Sequence, residues 1–365
     1  MGVKTKLFNN TDCFIEGWYW ALASNKLKIS RVERVTLLGR DLALYRDDCG
    51  QAVAMDAYCP HMGAHLGEGC VEGEGIRCGY HGWKFDNSGS CVDLPCLGKA
   101  FPISVQTWPT AEHYGMVWVW TGQSQPRSLP IVPELDGIDC DVAFGRYFLN
   151  NCHPNVALIN AIDANHFNSV HDMPVEIDFS TEHFGNEAIV FRNTTRGGSD
   201  YWLARLLQPF YANEATYSMC YWYGNVGTAT LGPDFQHFYI MFALRPIDGG
   251  HTEGHMILLT PKRRGLGGWL HTRLLLWLTK QVGDFFAKGD RQIFRSIQFD
   301  LKTPTKADQA VVDYIHHVES QTPLAWGSWE TYSPSESADS ENPASQNRET
   351  HIRASGARPQ PLEVV

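Results

Sequence analysis

Residues 59 to 61 read Cys-Pro-His and residues 78 to 81 read Cys-Gly-Tyr-His, so a thiolate and an imidazole recur on two short loops with sixteen residues between them. Two thiolates and two imidazoles suit two kinds of centre. One is a closed tetrahedral zinc site; the other is a two-iron, two-sulfur cluster with both cysteines on one iron and both histidines on the other. Local residues favour the cluster: Gly63, Gly79 and Gly82 let backbone N–H groups approach cluster sulfurs, and Trp83 and Phe85 can shield it.

A second set lies in NAIDANHFNSVHD at 160 to 172, where Asp163, His166 and His171 fall within nine positions. Two imidazoles and a carboxylate are the donors of a mononuclear iron site that keeps open positions. Five residues apart, His166 and His171 are about 140° out of phase on a regular helix, so the helix is expected to distort or end around Phe167 to Ser169. Asp163, three residues before His166, sits on its neighbouring helical face. It is either a third ligand or the acceptor for the other ring N–H of His166, and spacing leaves both open.

These groups need a scaffold. From about 31 to 122 the chain runs in short alternating segments such as RVTLLGRDLALYR, QAVAMDAY and GMVWVWTG with Gly-rich punctuation, which predicts a small all-β module. PRSLPIVP at 126 to 133 reads as a boundary or linker. GRYFL, AIVFRNTT, TYSMCYWYG, FYIMFALRP and EGHMILLTP then predict one large antiparallel sheet, and helical patterns at 266 to 299 and 306 to 321 make the second body α+β. The aromatics of YSMCYWYGNVG and QPFY read as core before pocket lining. From about 331 the chain is polar and Pro/Ser-rich, the composition of a disordered tail. His65, Cys70, Cys91 and Cys96 fall outside the ligand spacing and read as packing or surface residues; His153 and Asp172 read as surface or capping residues.

With 365 residues, 43% of them apolar, the chain can fill real cores. A net charge of −10 and only one short basic run, at 261 to 264, argue against a nucleic-acid surface and favour a small-molecule or protein partner. Residues 1 to 12 hold no apolar signal region, and Lys6 stands where a myristoylation motif wants Ser or Thr, so a cytoplasmic protein is expected. The most apolar run, 268 to 286, is broken by His271, Arg273 and Lys280, which predicts a buried amphipathic helix and no membrane span.

AYCPHMGAHLGEG and IRCGYHGWKFDNSGSCVDLP resemble the Rieske domain of the Rieske non-haem iron oxygenases, which carry C-x-H and C-x2-H-G-W. CPHMGAHL, with Met62 where many members have Arg, is similar to the branch of 3-ketosteroid 9α-hydroxylase, the Neverland cholesterol desaturases and aminopyrrolnitrin oxygenase. The resemblance implies that Cys59 and Cys78 bind one iron of a [2Fe–2S] cluster and His61 and His81 the other. It implies an all-β Rieske domain followed by a helix-grip (START-like) catalytic domain, an α+β fold. The division expected is an extension at 1–15, the Rieske domain at 16–124, the catalytic domain at 125–330 and a tail at 331–365.

NAIDANHFNSVH resembles the family's N-x2-D-x2-H-x4-H, in which both histidines, here His166 and His171, bind mononuclear Fe(II) and the aspartate does not. Asp163 then bridges subunits, linking His166 to His81 of an adjacent protomer, and Asn160 either tunes the iron or makes a structural hydrogen bond. The family takes its third ligand from a C-terminal helix. GDRQIFRSIQFD resembles that motif, with Asp290 as the ligand and Phe294 in place of the usual Trp. Periodicity agrees: Phe286, Asp290, Ile293, Phe294 and Ile297 share one face, and a carboxylate in an apolar stripe needs a partner such as a metal. Asp284 and Asp300 lie off the stripe and read as solvated or capping residues.

The activity implied is that of a terminal oxygenase with O2 as co-substrate and electrons from a separate ferredoxin or flavin reductase. NAD(P)H is involved only indirectly, because the chain has no GxGxxG fingerprint. The implied assembly is a homotrimer, a closed ring. Hydroxylation of a small organic substrate is the first expectation, with desaturation or amine oxidation as alternatives. A non-catalytic Rieske electron carrier and a zinc-stabilised binding protein are the rival readings.

Overall fold

The structure is a computed structural model, described for residues 5–171, 177–193, 215–233, 236–247 and 250–324. Asp172, the QPFY aromatics and the tail expected from residue 331 lie outside the described residues. The N-terminal body holds β1 (Trp18–Ala23), β2 (Arg31–Leu37), β3 (Arg40–Arg46), β4 (Ala52–Asp56), β5 (Cys70–Val71), β6 (Gly75–Arg77), β7 (Lys84–Asp86), β8 (Cys91–Asp93), β9 (Thr107–Trp108), β10 (Thr110–His113) and β11 (Met116–Trp120). They form three small sheets, ordered β1-β11-β10, β2-β3-β4-β9 and β5-β6-β7-β8. The last presents the two Cys-His loops, one before β5 and one between β6 and β7.

β1 and β11 form a wall shared with the rest of the chain. Tyr19, Ala21, Val117 and Val119 face the core of the N-terminal body, while Trp18, Trp20, Trp118 and Trp120 pack into the core of the C-terminal one. The two-residue strand period alone divides these residues between two cores. Arg245 pins the seam: its guanidinium lies 3.8 Å from the Trp20 ring centroid, Nη1 donates to the Trp20 carbonyl at 3.1 Å, and Nε meets Glu253 at 2.6 Å.

The proline-rich stretch is no loose linker. The carbonyls of Arg127, Ser128 and Ile131 accept from Trp18 Nε1 (2.9 Å), the Tyr223 hydroxyl (2.6 Å) and Trp222 Nε1 (2.9 Å). Proline favours an extended backbone with outward carbonyls, and here buried aromatic donors take three of those carbonyls.

The C-terminal body is a seven-stranded antiparallel sheet of β12 (Cys140–Asn150), β13 (Phe179–Phe184), β14 (Ala188–Asn193), β15 (Ala215–Trp222), β16 (Val226–Pro233), β17 (Phe238–Pro246) and β18 (Thr252–Pro261), in the order β12-β18-β17-β16-β15-β14-β13. Alternation did not reveal β13 or β16. β16, VGTATLGP, is poor in large apolar residues, but pairing on both sides builds it, and a Cβ at Gly227 would sit 2.8 Å from the Leu158 side chain.

β12 is the first strand of the sheet yet lies beside the last. The chain leaves it through α1 (Pro154–Ile159) and α2 (Ala164–Val170), reaches the far edge at β13 and meanders back. α3 (Gly265–Phe294) then packs on β12, β18 and β17, and α4 (Gln309–Glu319) on β13 and β14. The crossover and the returning helix therefore meet over one sheet face. Among the described residues no helix is long and apolar enough to cross a membrane.

The start of the chain is also anchored. Phe8 is fully buried, and the Glu319 carboxylate at the end of α4 accepts the N–H groups of Lys6, Leu7 and Phe8 at 2.8 to 2.9 Å. Glu319→Ala strands three backbone donors, and a charged acceptor of this kind is worth about 2 kcal/mol. The expected result is an unfolding free energy lowered by that amount, read as a lower denaturant midpoint with an unchanged slope; an unchanged midpoint would show that the nest contributes nothing.

Candidate metal centres

The two Cys-His loops fold alike. Cys59 N–H donates to the Ala64 carbonyl (2.9 Å) and Gly63 N–H returns to the Cys59 carbonyl (2.9 Å). Cys78 N–H donates to Trp83 (2.8 Å) and Gly82 N–H returns to Cys78 (3.0 Å). Gly63 and Gly82 share a φ of +74°, which glycine adopts at no steric cost. Cys59 and Cys78 are buried beside each other, while His61 and His81 stand exposed above them with ring centroids 4.5 Å apart. Trp83 stacks flat on His61 at 4.5 Å, and Phe85 is fully buried below.

Burial and the neighbouring Cys78 push the Cys59 thiol up to about 11. A buried thiol pair of this kind has little use as free acid but becomes a good ligand once a metal takes the protons. An inner sulfur pair and an outer nitrogen pair suit a cluster with one buried and one exposed iron better than a single tetrahedral ion. His65 is not part of this set: Nδ1 accepts from Gly67 N–H at 2.9 Å, capping a short turn. Cys91 is buried in the core, and Cys70 and Cys96 are exposed free thiols.

At the second centre His166, His171 and Asp290 come together, with one ligand atom from each within 4.8 Å of the others. α2 carries His166 in its first turn and, contrary to what the spacing suggests, does not break at Phe167 to Ser169. It continues to Val170, and His171 stands just past its end at φ −103°, ψ −1°, released from helical phase. The rings lie 5.0 Å apart at 78°.

The protonation pattern is fixed locally. His166 Nδ1 lies 2.6 Å from the Asp163 backbone carbonyl and must donate to it, which leaves Nε2 as a lone pair. His171 Nε2 and Asp290 Oδ1 are 3.0 Å apart, yet both are buried with no aligned hydrogen bond; His166 Nε2 lies 3.8 Å from the same oxygen. Buried polar atoms that converge on one point with no aligned hydrogen bond between them are what a cation would satisfy. Burial raises the Asp290 carboxyl against the pull of His171, His166 and a hydrogen bond from Asn160, and burial lowers His171. Both shifts oppose bare charge at the site, and a divalent cation would reverse them.

Asp163 departs from expectation in detail. Its carbonyl, not its carboxylate, holds the His166 ring, and Oδ1 caps α2 by accepting from Asn165 N–H (3.0 Å) and His166 N–H (3.4 Å). Of the apolar stripe, Phe286 and Phe294 face inward, but Ile293 is 44% exposed and Ile297 lies past the helix end. Asp284 is not solvated either: it meets Arg146 at 3.3 Å and Lys280 at 2.5 Å. Asp300 is exposed beside Lys302. His153 caps α1 through Nδ1.

Gly289 went unnoticed in the sequence. A Cβ there would lie 2.9 Å from His171 Cε1, so only glycine lets α3 bring Asp290 against the ring. Above the three ligands opens an apolar cavity of about 130 Å³, far more than one water needs, lined by Phe167, Met219, Leu231, Phe242 and Phe286, with Arg146, Asn150 and Asn160 as polar points.

Residues 17–109 match the Rieske [2Fe-2S] domain. The chain is similar to aminopyrrolnitrin oxygenase of Pseudomonas fluorescens, 34% identical over 180 residues that cover 46% of this chain and 49% of that one. It is similar to cholesterol 7-desaturase of Bombyx mori, 34% identical over 160 residues, 42% of this chain and 35% of that one. The chain thus spans half the length, or less, of these curated relatives. Its fold matches NdmA with caffeine, from Pseudomonas putida CBB5, with a TM-score of 0.63 and 17% identity over 85% of this chain and 96% of that one. Cysteines below and histidines above in a part that matches the Rieske [2Fe-2S] domain, and a separate His-His-Asp set on a seven-stranded sheet closed by a long helix, give this chain two candidate metal centres on a fold shared with NdmA.

Proposed function

We propose that the protein is a terminal oxygenase that oxidises a small, largely apolar substrate with O2, hydroxylation first among the outcomes. The observation that carries this reading is the convergence of His166, His171 and Asp290 at the floor of an apolar cavity. In this reading Cys59, Cys78, His61 and His81 hold a [2Fe–2S] cluster in a domain at 16–124, and the other three hold Fe(II) in a domain at 125–330. When bound, the cluster supplies single electrons and the iron supplies the site where O2 is activated.

The chain's own residues do the rest. The Asp163 carbonyl fixes the His166 tautomer, Gly289 admits the His171 ring, and Asn160 lines the same cavity beside Asp290 and holds its carboxyl toward the charged form. The phenylalanines exclude water and present the substrate's apolar body, while Arg146, partly neutralised by Asp284, offers donors to a polar substituent. Asp163 is read as the bridge to His81 of a neighbouring protomer in a cyclic homotrimer. A separate ferredoxin or flavin reductase supplies the electrons, in the cytoplasm.

Metal analysis of the purified protein, with its visible spectrum, tests this. The expected result is a Rieske-type absorption with about three irons per chain. Two irons per chain would leave an electron carrier, and a colourless zinc protein would overturn the reading altogether.

A further inference from the structure

A helix on the flank of a core buries its apolar residues and wets its polar ones. α3 does half of this. Its inward stripe, including Leu275, Leu276, Thr279 and Gly283, is buried as expected. Its outward face is apolar as well: Leu266 is 76% exposed, and Trp269, Leu270, Leu274, Trp277 and Phe285 are each more than half exposed. The run read from sequence as a buried helix thus shows solvent much of its hydrophobic content. At 100° per residue these six side chains occupy roughly half the helix circumference, and they extend about 28 Å along its axis. An exposed apolar face of this kind, interrupted by Arg273 and Gln281, marks an interaction surface.

Charge says what covers it. From Gly254 to Gly283 the chain has no acidic residue and five basic ones, Lys262, Arg263, Arg264, Arg273 and Lys280, in a protein with 40 acidic and 30 basic residues overall. Lys280 pairs with Asp284, but the other four have no carboxylate partner among the described residues. Arg273 lies over the Trp269 ring at 5.5 Å, its stem along the apolar face and its charge at the edge.

We propose that this face of α3 seats the protein on an anionic lipid bilayer, with the tryptophans and leucines at the headgroup boundary and the basic residues against lipid phosphates. Interfacial helices combine Trp, Leu and Lys/Arg in this way, and a bilayer, unlike a protein partner, needs no shaped surface to receive them. The inner face of the same helix, from Gly283 to Phe294, lines the cavity. Docking holds that cavity beside the phase into which an apolar substrate partitions.

The test uses the full-length, iron-loaded protein in flotation with vesicles of phosphatidylglycerol and phosphatidylcholine, or of phosphatidylcholine alone. Floated protein is expected with the anionic vesicles, about tenfold less with neutral ones, and less again as salt rises. The variant carrying Trp269→Gln, Leu274→Gln and Trp277→Gln should lose about tenfold or more in partitioning, and the variant carrying Arg263→Gln and Arg264→Gln about tenfold, both with the visible spectrum of the parent. All five side chains are exposed, so folding is not at stake. Wild-type protein that floats with neither vesicle, or a triple variant that floats as well as wild type, overturns the proposal. So does an oligomer, seen by light scattering, that the triple variant dissolves while vesicles leave it intact; a second copy of the chain would then be the occupant.

Discussion

Asp290→Ala is expected to abolish retention of the mononuclear iron while the [2Fe–2S] spectrum stays as in the parent protein. The carboxylate is the only anionic donor among the three groups, and its Oδ1 is the atom on which both imidazoles converge, at 3.0 and 3.8 Å. Without it two neutral nitrogens remain, and a divalent cation bound by two imidazoles in an apolar pocket has lost its charge partner. Turnover should fall to background. The Rieske loops lie in another body with their own backbone hydrogen bonds, so their spectrum serves as an internal control for folding. An Asp290→Ala protein that keeps a third iron would transfer the ligand role to another carboxylate, and Asp284 is a poor heir because Arg146 and Lys280 already occupy it.

For Asp163 the expectation is reversed: both centres stay loaded and turnover falls about a hundredfold or more. The best substitution is Asp163→Asn. Asparagine still caps α2 and leaves the backbone carbonyl on His166 Nδ1, so it removes the charge alone. Asp163→Ala additionally removes the cap, at about 1 kcal/mol, and could shift His166 for that reason. Comparing the two separates the roles. Equal losses with full iron content assign the defect to the carboxylate, which has an oxygen, Oδ2, without a partner among the described residues. Loss of mononuclear iron from the asparagine variant would make Asp163 a ligand after all and sink the bridging role.

Much of the candidate site was legible because its information is local. C-x-H and C-x2-H-G set a loop closed by its own backbone, with glycine where φ is positive, and D-x2-H places a cap and an imidazole one turn apart. Where local rules met the end of an element they slipped: α2 had been expected to break at Phe167 to Ser169, but it holds its phase to Val170 and frees His171 by stopping. Asp163 was rightly set beside His166, yet the contact runs through its carbonyl, because a capping carboxylate turns toward the helix N–H groups and away from the ring.

The sequence by itself determined donor types, their pairing on two loops and one helix, most of the strand and helix content, and the resemblance that named the third ligand. Tertiary structure decided what distant segments do to one another. Periodicity can say that Asp290 shares a stripe with Phe286 and Phe294, but not that a crossover from β12 and a returning helix would close over one sheet face and bring that stripe to α2. Nor can it say that Gly289 must yield to His171, or that Trp222 and Tyr223 would claim the carbonyls of the proline-rich strap. The same limit explains α3. A helical wheel shows two apolar faces but not which one the sheet takes, and only packing against β12, β17 and β18 left Trp269, Leu274 and Trp277 facing outward.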